Sequence, residues 1–194
     1  MIIDAFVFSN QLDVLEIRLK TLDPYVDLFV LVETGLIFEQ NKERFAKWLP
    51  KIRHVVTKEE PVCDAILMGL GGEVIDPDIV MVSDVDEIPD LSLVRWEHLP
   101  HRAMTLCMWH YQYDFEHLGS EEPWFGTVIT QVDLLKEYGA TYFRNNHKKF
   151  PVQQYAGWYL GKFGVPSAYK VHLPPRPLEA TIPPVDCSKF LRTS

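Results

Sequence analysis

Ile79-Val80-Met81-Val82-Ser83-Asp84-Val85-Asp86-Glu87-Ile88-Pro89 runs four apolar residues into three carboxylates within four positions. Ile79 to Val82 reads as a buried strand, because a continuous β-branched and apolar run fits a sheet covered on both faces. Pro89 cannot continue such a strand. The acids therefore stand where the strand leaves the sheet, the edge at which open α/β sheets bind ligands. Close carboxylates repel one another. A divalent cation with hard oxygen ligands is their natural partner, and a solvated acidic turn is the plainer alternative.

The residues before this stretch alternate strand and helix. Ile2 to Phe8 predicts a strand. Ser9 or Asn10 is placed to cap the following helix, whose broad apolar face is Leu12, Leu15, Ile17, Leu19 and Leu22, with Glu16, Arg18 and Lys20 interleaved. Pro24 ends that helix. Leu28 to Val32 predicts a second strand closing on Glu33, Asn41 to Trp48 a short helix, Ile52 to Val56 a third strand and Pro61 to Leu70 a further helix. Asp76-Pro77-Asp78 is a turn into the acidic strand. This alternation predicts an α/β fold, a three-layer sandwich with a mostly parallel central sheet and right-handed crossovers.

The second half changes character. Asp90 is expected to cap a helix over Leu91 to His98; Ala103 to Tyr113 and Trp124 to Thr130 read as strands. Asp114 to Pro123 reads as a polar loop, and Val132 to Tyr138 as a helix ended by Gly139. Tyr155 to Gly164 is aromatic and glycine-rich. Residues 1–173 are expected to form one domain. Residues 174–194 begin with five prolines in eleven positions and predict an extended tail.

Hydrophobic residues make up 47% and charged residues 24% of 194 positions, which suits a globular domain with its own core. No apolar run is long enough to span a membrane. Met1-Ile2-Ile3-Asp4 has no basic n-region, so no signal peptide is expected. Cys63, Cys107 and Cys187 are odd in number and lack metal-type spacing, which suits a reducing, cytoplasmic setting with Cys107 in the core. The net charge of −8 argues against nucleic acid as the main partner, although Arg144 to Lys149 is a local basic patch.

Leu12-Asp13-Val14-Leu15-Glu16-Ile17-Arg18-Leu19, Val30-Leu31-Val32-Glu33, Asn41-Lys42-Glu43-Arg44-Phe45 and Ser83-Asp84-Val85-Asp86-Glu87-Ile88-Pro89 together resemble glycosyltransferase family 17. That family includes the β-1,4-mannosyl-glycoprotein N-acetylglucosaminyltransferases. Gly157-Trp158, followed by Phe163-Gly164, resembles the family's C-terminal Gly-Trp-His block, with Tyr159 in place of the histidine. The order and spacing of the blocks carry the likeness; an Asp-x-Asp alone would not. The chain looks like a compact bacterial or viral form.

The resemblance implies a GT-A-like, Rossmann-like fold. It also implies a nucleotide-sugar donor such as UDP-GlcNAc, manganese or magnesium, a carbohydrate or other hydroxyl acceptor, and inversion at the anomeric carbon. Asp86 would hold the metal, Asp84 the ribose or the metal through water, and Glu87 would support the turn or the metal shell. Glu33 is either a uracil or ribose contact or a strand-end carboxylate. Ser9 and Asn10 are nucleotide contacts or simple caps. The base that deprotonates the acceptor is expected to be Glu121 or Glu122, just before Trp124, with Asp114 as the rival; exposed loop acids are the alternative. His172 is a candidate third metal ligand or a structural histidine. His147, Lys148 and Lys149 would meet diphosphate or form a solvated basic loop. Trp109, Trp158 and Tyr111 would line the acceptor cleft or fill the core. Two rival functions are a phage-type transferase acting on modified DNA bases and an inactive nucleotide-sugar-binding module.

Overall fold

The computed structural model describes residues 1–76, 78–94, 96, 99, 102–112 and 123–162. Asp114, Glu121, Glu122, His172 and the proline-rich tail lie outside the described residues.

The first half follows the expected alternation. Strand β1 (Ile2–Val7) leads into helix α1 (Leu12–Leu22), β2 (Leu28–Glu33), the short helix α2 (Ile37–Asn41), β3 (Ile52–Val56), α3 (Ile66–Gly69) and β4 (Ile79–Asp84). β1 lies between β2 and β4 and is parallel to both, while β3 adds parallel to β2. The second half supplies β5 (Glu87–Pro89), β6 (Ala103–Gln112), β7 (Trp124–Gln131), α4 (Val132–Tyr138), α5 (Ala140–Asn146), β8 (Val152–Gln153) and β9 (Gly157–Lys162). The strand order is β3-β2-β1-β4-β7-β6-β9-β5, with β8 beside β6. β7 runs antiparallel to both β4 and β6, so the sheet is mixed though mostly parallel.

Period-two alternation places side chains on two faces. Ile3, Ala5, Val30, Val32, Val80 and Val82 pack beneath α3, α4 and α5, with Ile66, Leu135 and Phe143. Phe6, Phe29, Leu31 and Met81 pack on the other face, against Leu15, Leu19 and Leu22 of α1. α1 buries a second side as well: Val14 and Ile17 meet Ile88, Trp158 and Leu160. A helix wedged between two apolar surfaces leaves little for solvent, and Arg18, one of the charges interleaved with its apolar face, is fully buried.

Several local expectations change. Neither Ser9 nor Asn10 caps α1; Gln11 is the N-cap, and no side chain bonds the free N–H groups. The helix expected over Asn41 to Trp48 instead starts at Ile37, and Lys42–Phe45 continues it as a 3-10 turn. The cause is Glu33, whose carboxylate accepts from the Ile37 and Phe38 N–H groups at 3.0 and 3.2 Å and so fixes the first helical turn. No helix follows Asp90 over 91–94. Asp90 Oδ1 accepts from the Ser92 N–H and hydroxyl at 3.2 and 2.6 Å, a local bond that competes with helix. Pro89 does end a strand, but a second, three-residue one: β5 pairs antiparallel with β9. Gly157 permits that pairing, since a Cβ there would stand 2.4 Å from the Ile88 carbonyl oxygen. The basic patch 144–149 is not a loop; Arg144 rides on α5.

Candidate active site

β1 sends the chain to β2 on one side and has β4 on the other, so the crevice between the carboxyl ends of β1 and β4 is a topological switch point. Ser9, Asn10 and Gln11 follow β1 there. Asp84 closes β4, and Val85-Asp86 turns the chain into β5. The turn is tied down by backbone bonds from Val85 N–H to the Val7 carbonyl, 3.0 Å, and from Leu160 N–H to the Asp86 carbonyl, 2.8 Å.

Two arginines hold this turn from opposite faces. Arg18 reaches from α1, where its guanidinium meets both oxygens of Asp4 at 2.8 and 2.5 Å and the Ser83 hydroxyl at 2.6 Å. The same group donates to the carbonyls of Asp84, Val85 and Glu87 at 3.0, 3.3 and 2.7 Å. An always-charged, five-donor fork suits this buried, many-partner position. Asp4 supplies the compensating charge, since residues 2, 4 and 6 of β1 point toward α1.

Arg144 comes from α5 on the other face. Its Nη2 lies 2.6 Å from Asp84 Oδ2, and its Nη1 2.6 Å from Glu87 Oε2. Glu87 is almost fully buried. It also accepts from Trp124 Nε1 at 2.9 Å and from the Asp84 N–H at 3.1 Å. Burial alone would lower the basicity of Arg144; the charges of Glu87 and Asp84 more than reverse that. Burial pushes the Asp84 carboxyl up against the opposing pull of Arg144, and its half-exposed side chain lets solvent screen the effect.

Asp86 is held differently. Its Oδ2 accepts from Gln11 Nε2 at 3.4 Å, a backbone N–H also helps hold the carboxylate, and it forms no ion pair among the described residues. Desolvation, then the charges of Glu87 and Asp84, raise its carboxyl to about 6. Beside it, the Tyr159 ring stacks on Trp124 at 3.9 Å and 6°, with His110 at 4.9 Å. Desolvation and the nearby Asp86 push the Tyr159 phenol up to about 12. Gly126 keeps this corner narrow: a Cβ there would stand 2.9 Å from Met108 Sδ and 3.1 Å from Glu87 Cδ.

Residues 1–159 match the profile of glycosyltransferase family 17. The chain belongs to glycosyltransferase family 17. It is a glycosyltransferase, and the paired-arginine acidic turn lies inside the matched region. No curated protein sequence matches the chain. Among solved structures, it is similar to a 4-diphosphocytidyl-2C-methyl-D-erythritol synthase from Anaerococcus prevotii at 15% identity. That alignment covers 81% of this chain and 87% of the other, with a TM-score of 0.53. It is also similar to S. aureus TarS 1-349 at 12% identity, covering 82% of this chain and 60% of the other, with a TM-score of 0.51. These likenesses establish the fold, a GT-A-like, Rossmann-like α/β sheet. No helix of the described residues is long and apolar enough to cross a membrane.

The transferase brings Ser9, Gln11, Asp84, Asp86 and Glu87 to one crevice. Ser9 Oγ donates to Gln11 Oε1 at 3.4 Å, which links the β1 end to Asp86. Glu33 stands apart. It is buried, and one oxygen meets His54 Nε2 at 2.8 Å while both serve the start of α2. Of the expected cleft aromatics, Tyr111 and Trp158 sit in the α1-side core with Trp109 packed against them. His147 and Lys148-Lys149 form a 3-10 turn after α5, with His147 Nδ1 against the Arg144 carbonyl. Cys107 is buried as expected.

Arg18, Tyr159 and Gln11 are site residues with no role expected from the sequence; Arg144 was expected only within a basic patch, and Trp124 only beside the acceptor base. One signal was available: Asp4 in an apolar strand demands a buried cation. No local pattern announces Arg144, which acts 60 positions from Asp84.

Proposed function

We propose that this family 17 enzyme transfers a sugar, GlcNAc from UDP-GlcNAc, to a glycan or other hydroxyl acceptor, with inversion and with a divalent metal at Asp86. The observation that carries the reading is Asp86 itself. It is a carboxylate at the carboxyl edge of β4, beside the β1–α1 connection, with two like charges near it and no cation of its own among the described residues. Manganese or magnesium fits such a site, because these ions keep several waters and bind through one or two carboxylates plus substrate phosphates.

When bound, the ion would neutralise the charge that develops on the departing diphosphate. The chain's own residues do the rest. Arg18 fixes the three carbonyls that shape the turn, so the Asp86 carboxylate is presented rather than folded back. Gln11 orients that carboxylate. Asp84, with one oxygen on Arg144, keeps its other oxygen for a ribose hydroxyl. The flat Trp124–Tyr159 pair offers an aromatic surface for the C–H face of an acceptor sugar, and Trp124 Nε1 is fixed by Glu87.

A thermal-shift panel of nucleotide sugars with and without manganese tests this reading. A donor at a hundred times its dissociation constant should add about 2.7 kcal/mol of stability. UDP-GlcNAc plus manganese is expected to give the largest shift, and UDP release should follow when a hydroxyl acceptor is added. Absence of a shift with every nucleotide sugar plus metal would sink the reading. A shift without UDP release from any acceptor would favour a binding module.

A further inference from the structure

The β4–β5 turn carries three carboxylates, and Arg144 occupies two of them. Its guanidinium meets Glu87 at 2.6 and 3.1 Å and Asp84 at 2.6 Å, and it reaches the Gly126 carbonyl at 3.4 Å. Asp86 has the Gln11 amide and a backbone N–H but no arginine or lysine among the described residues. Among the described residues, no group of three or more His, Cys, Asp or Glu side chains is placed to hold a metal ion. A sequence with Asp84, Asp86 and Glu87 so close would be expected to make such a group. Arg144 instead lies on two of the three.

Resting on the donor-site reading above, we propose that Arg144 is a positioning residue that serves as the site's built-in cation. It keeps Asp84 and Glu87 from a divalent metal, so the metal is taken by Asp86 together with the donor diphosphate and not by the free protein.

Three physical points support this. A guanidinium cannot give up its charge in a protein, and its planar fork holds two carboxylates more firmly than a point charge does. Glu87 is buried, and stripping its arginine away would leave an uncompensated ion on each side. A hard cation wants about six oxygen ligands, and one aspartate with water is a poor set until phosphate oxygens join it. Arg144 is also not free to swing aside with its helix. The Asp64 carboxylate, on the turn before α3, accepts from the Thr141 N–H at 2.8 Å and anchors the first turn of α5.

The test is manganese binding to the full chain, read from the electron paramagnetic resonance signal of the free ion, with and without UDP. Wild type should bind manganese weakly alone and at least about tenfold more tightly with UDP. Arg144→Gln exposes the three acids and should bind manganese alone about 10- to 100-fold more tightly than wild type does. Its unfolding midpoint should rise with manganese alone, which a merely structural arginine would not produce. Arg144→Lys keeps one charge for one acid and should fall between the two; it carries the comparison if Arg144→Gln does not fold. The proposal is overturned if both variants bind manganese alone no better than wild type. It is also overturned if wild type binds the ion equally well without UDP. If no protein binds manganese even with UDP, the metal–donor reading fails and takes this proposal with it.

Discussion

Asp86 and Arg18 show how much single residues decide here. The folded Asp86 carboxyl holds its proton to about pH 6, whereas in the unfolded chain it ionises near 3.8. Between those values the folded state binds more protons, so this group's contribution to stability is present below about pH 4 and is lost as pH rises through 6. Asp86→Asn is therefore expected to make the metal-free protein more stable at pH 7 by about 1–3 kcal/mol in urea unfolding, with no difference at pH 3.5. The same variant should lose the manganese-dependent part of the UDP-GlcNAc thermal shift. Arg18 works in the opposite sense. It and Asp4 have no solvent-exposed side-chain surface. Arg18→Ala strands a buried carboxylate and should cost about 3–5 kcal/mol by urea unfolding. Pairing Arg18→Met with Asp4→Leu should recover most of that stability but not transfer, since the carbonyls of 84, 85 and 87 lose their donor.

Elements matter because the site is assembled where short pieces meet. α5 is only seven residues long, too short to hold itself, and takes its N-terminal bond from Asp64. Asp64→Ala should cost about 1 kcal/mol by urea unfolding. It should also lower transfer more than stability, because Arg144 sits one turn along the same helix. β5 is likewise too short to persist without β9, and the two touch at Gly157, opposite Pro89. Gly157→Val would push a side chain into the Ile88 carbonyl and separate the strands. Loss of the Tyr159–Trp124 stack, seen as a change in tryptophan fluorescence and near-UV circular dichroism, is the expected result. Sequence periodicity found β1, β2, β4, β6 and β7 because each carries a long apolar run, and β3 from its β-branched Ile52, Val55 and Val56. It missed β5 and α5 because nothing in three or seven residues outweighs tertiary contact, and it placed α2 late because Glu33 acts from four residues upstream of Ile37.

At the scale of the molecule, β1, β2 and β4 form the part of the sheet covered on both faces. Their amides should exchange most slowly, with β3, an edge strand of intermediate burial, exchanging sooner. Hydrogen-exchange mass spectrometry would read this order directly. The acidic balance of the chain bears on its rivals. Arg144 faces inward onto carboxylates, so the basic patch that supported a DNA-modifying transferase loses its leading cation. Duplex DNA is expected to bind weakly at physiological salt, measurable by fluorescence anisotropy across a salt series.

The alternating first half, the parallel sheet it builds, the family and the edge at which three acids gather are all legible along the chain. Those features are written in local periodicity and in blocks of consecutive residues, which need no knowledge of distant partners. Which acid is left without an arginine is settled by packing. Arg18 lies 66 positions before Asp84 and Arg144 lies 60 positions after it. Charges that far apart along the chain are brought together by the packing of α1 and α5 on opposite faces of one sheet. The three carboxylates, equivalent as a string of letters, thereby become two that are paired with Arg144 and one, Asp86, that has no arginine among the described residues.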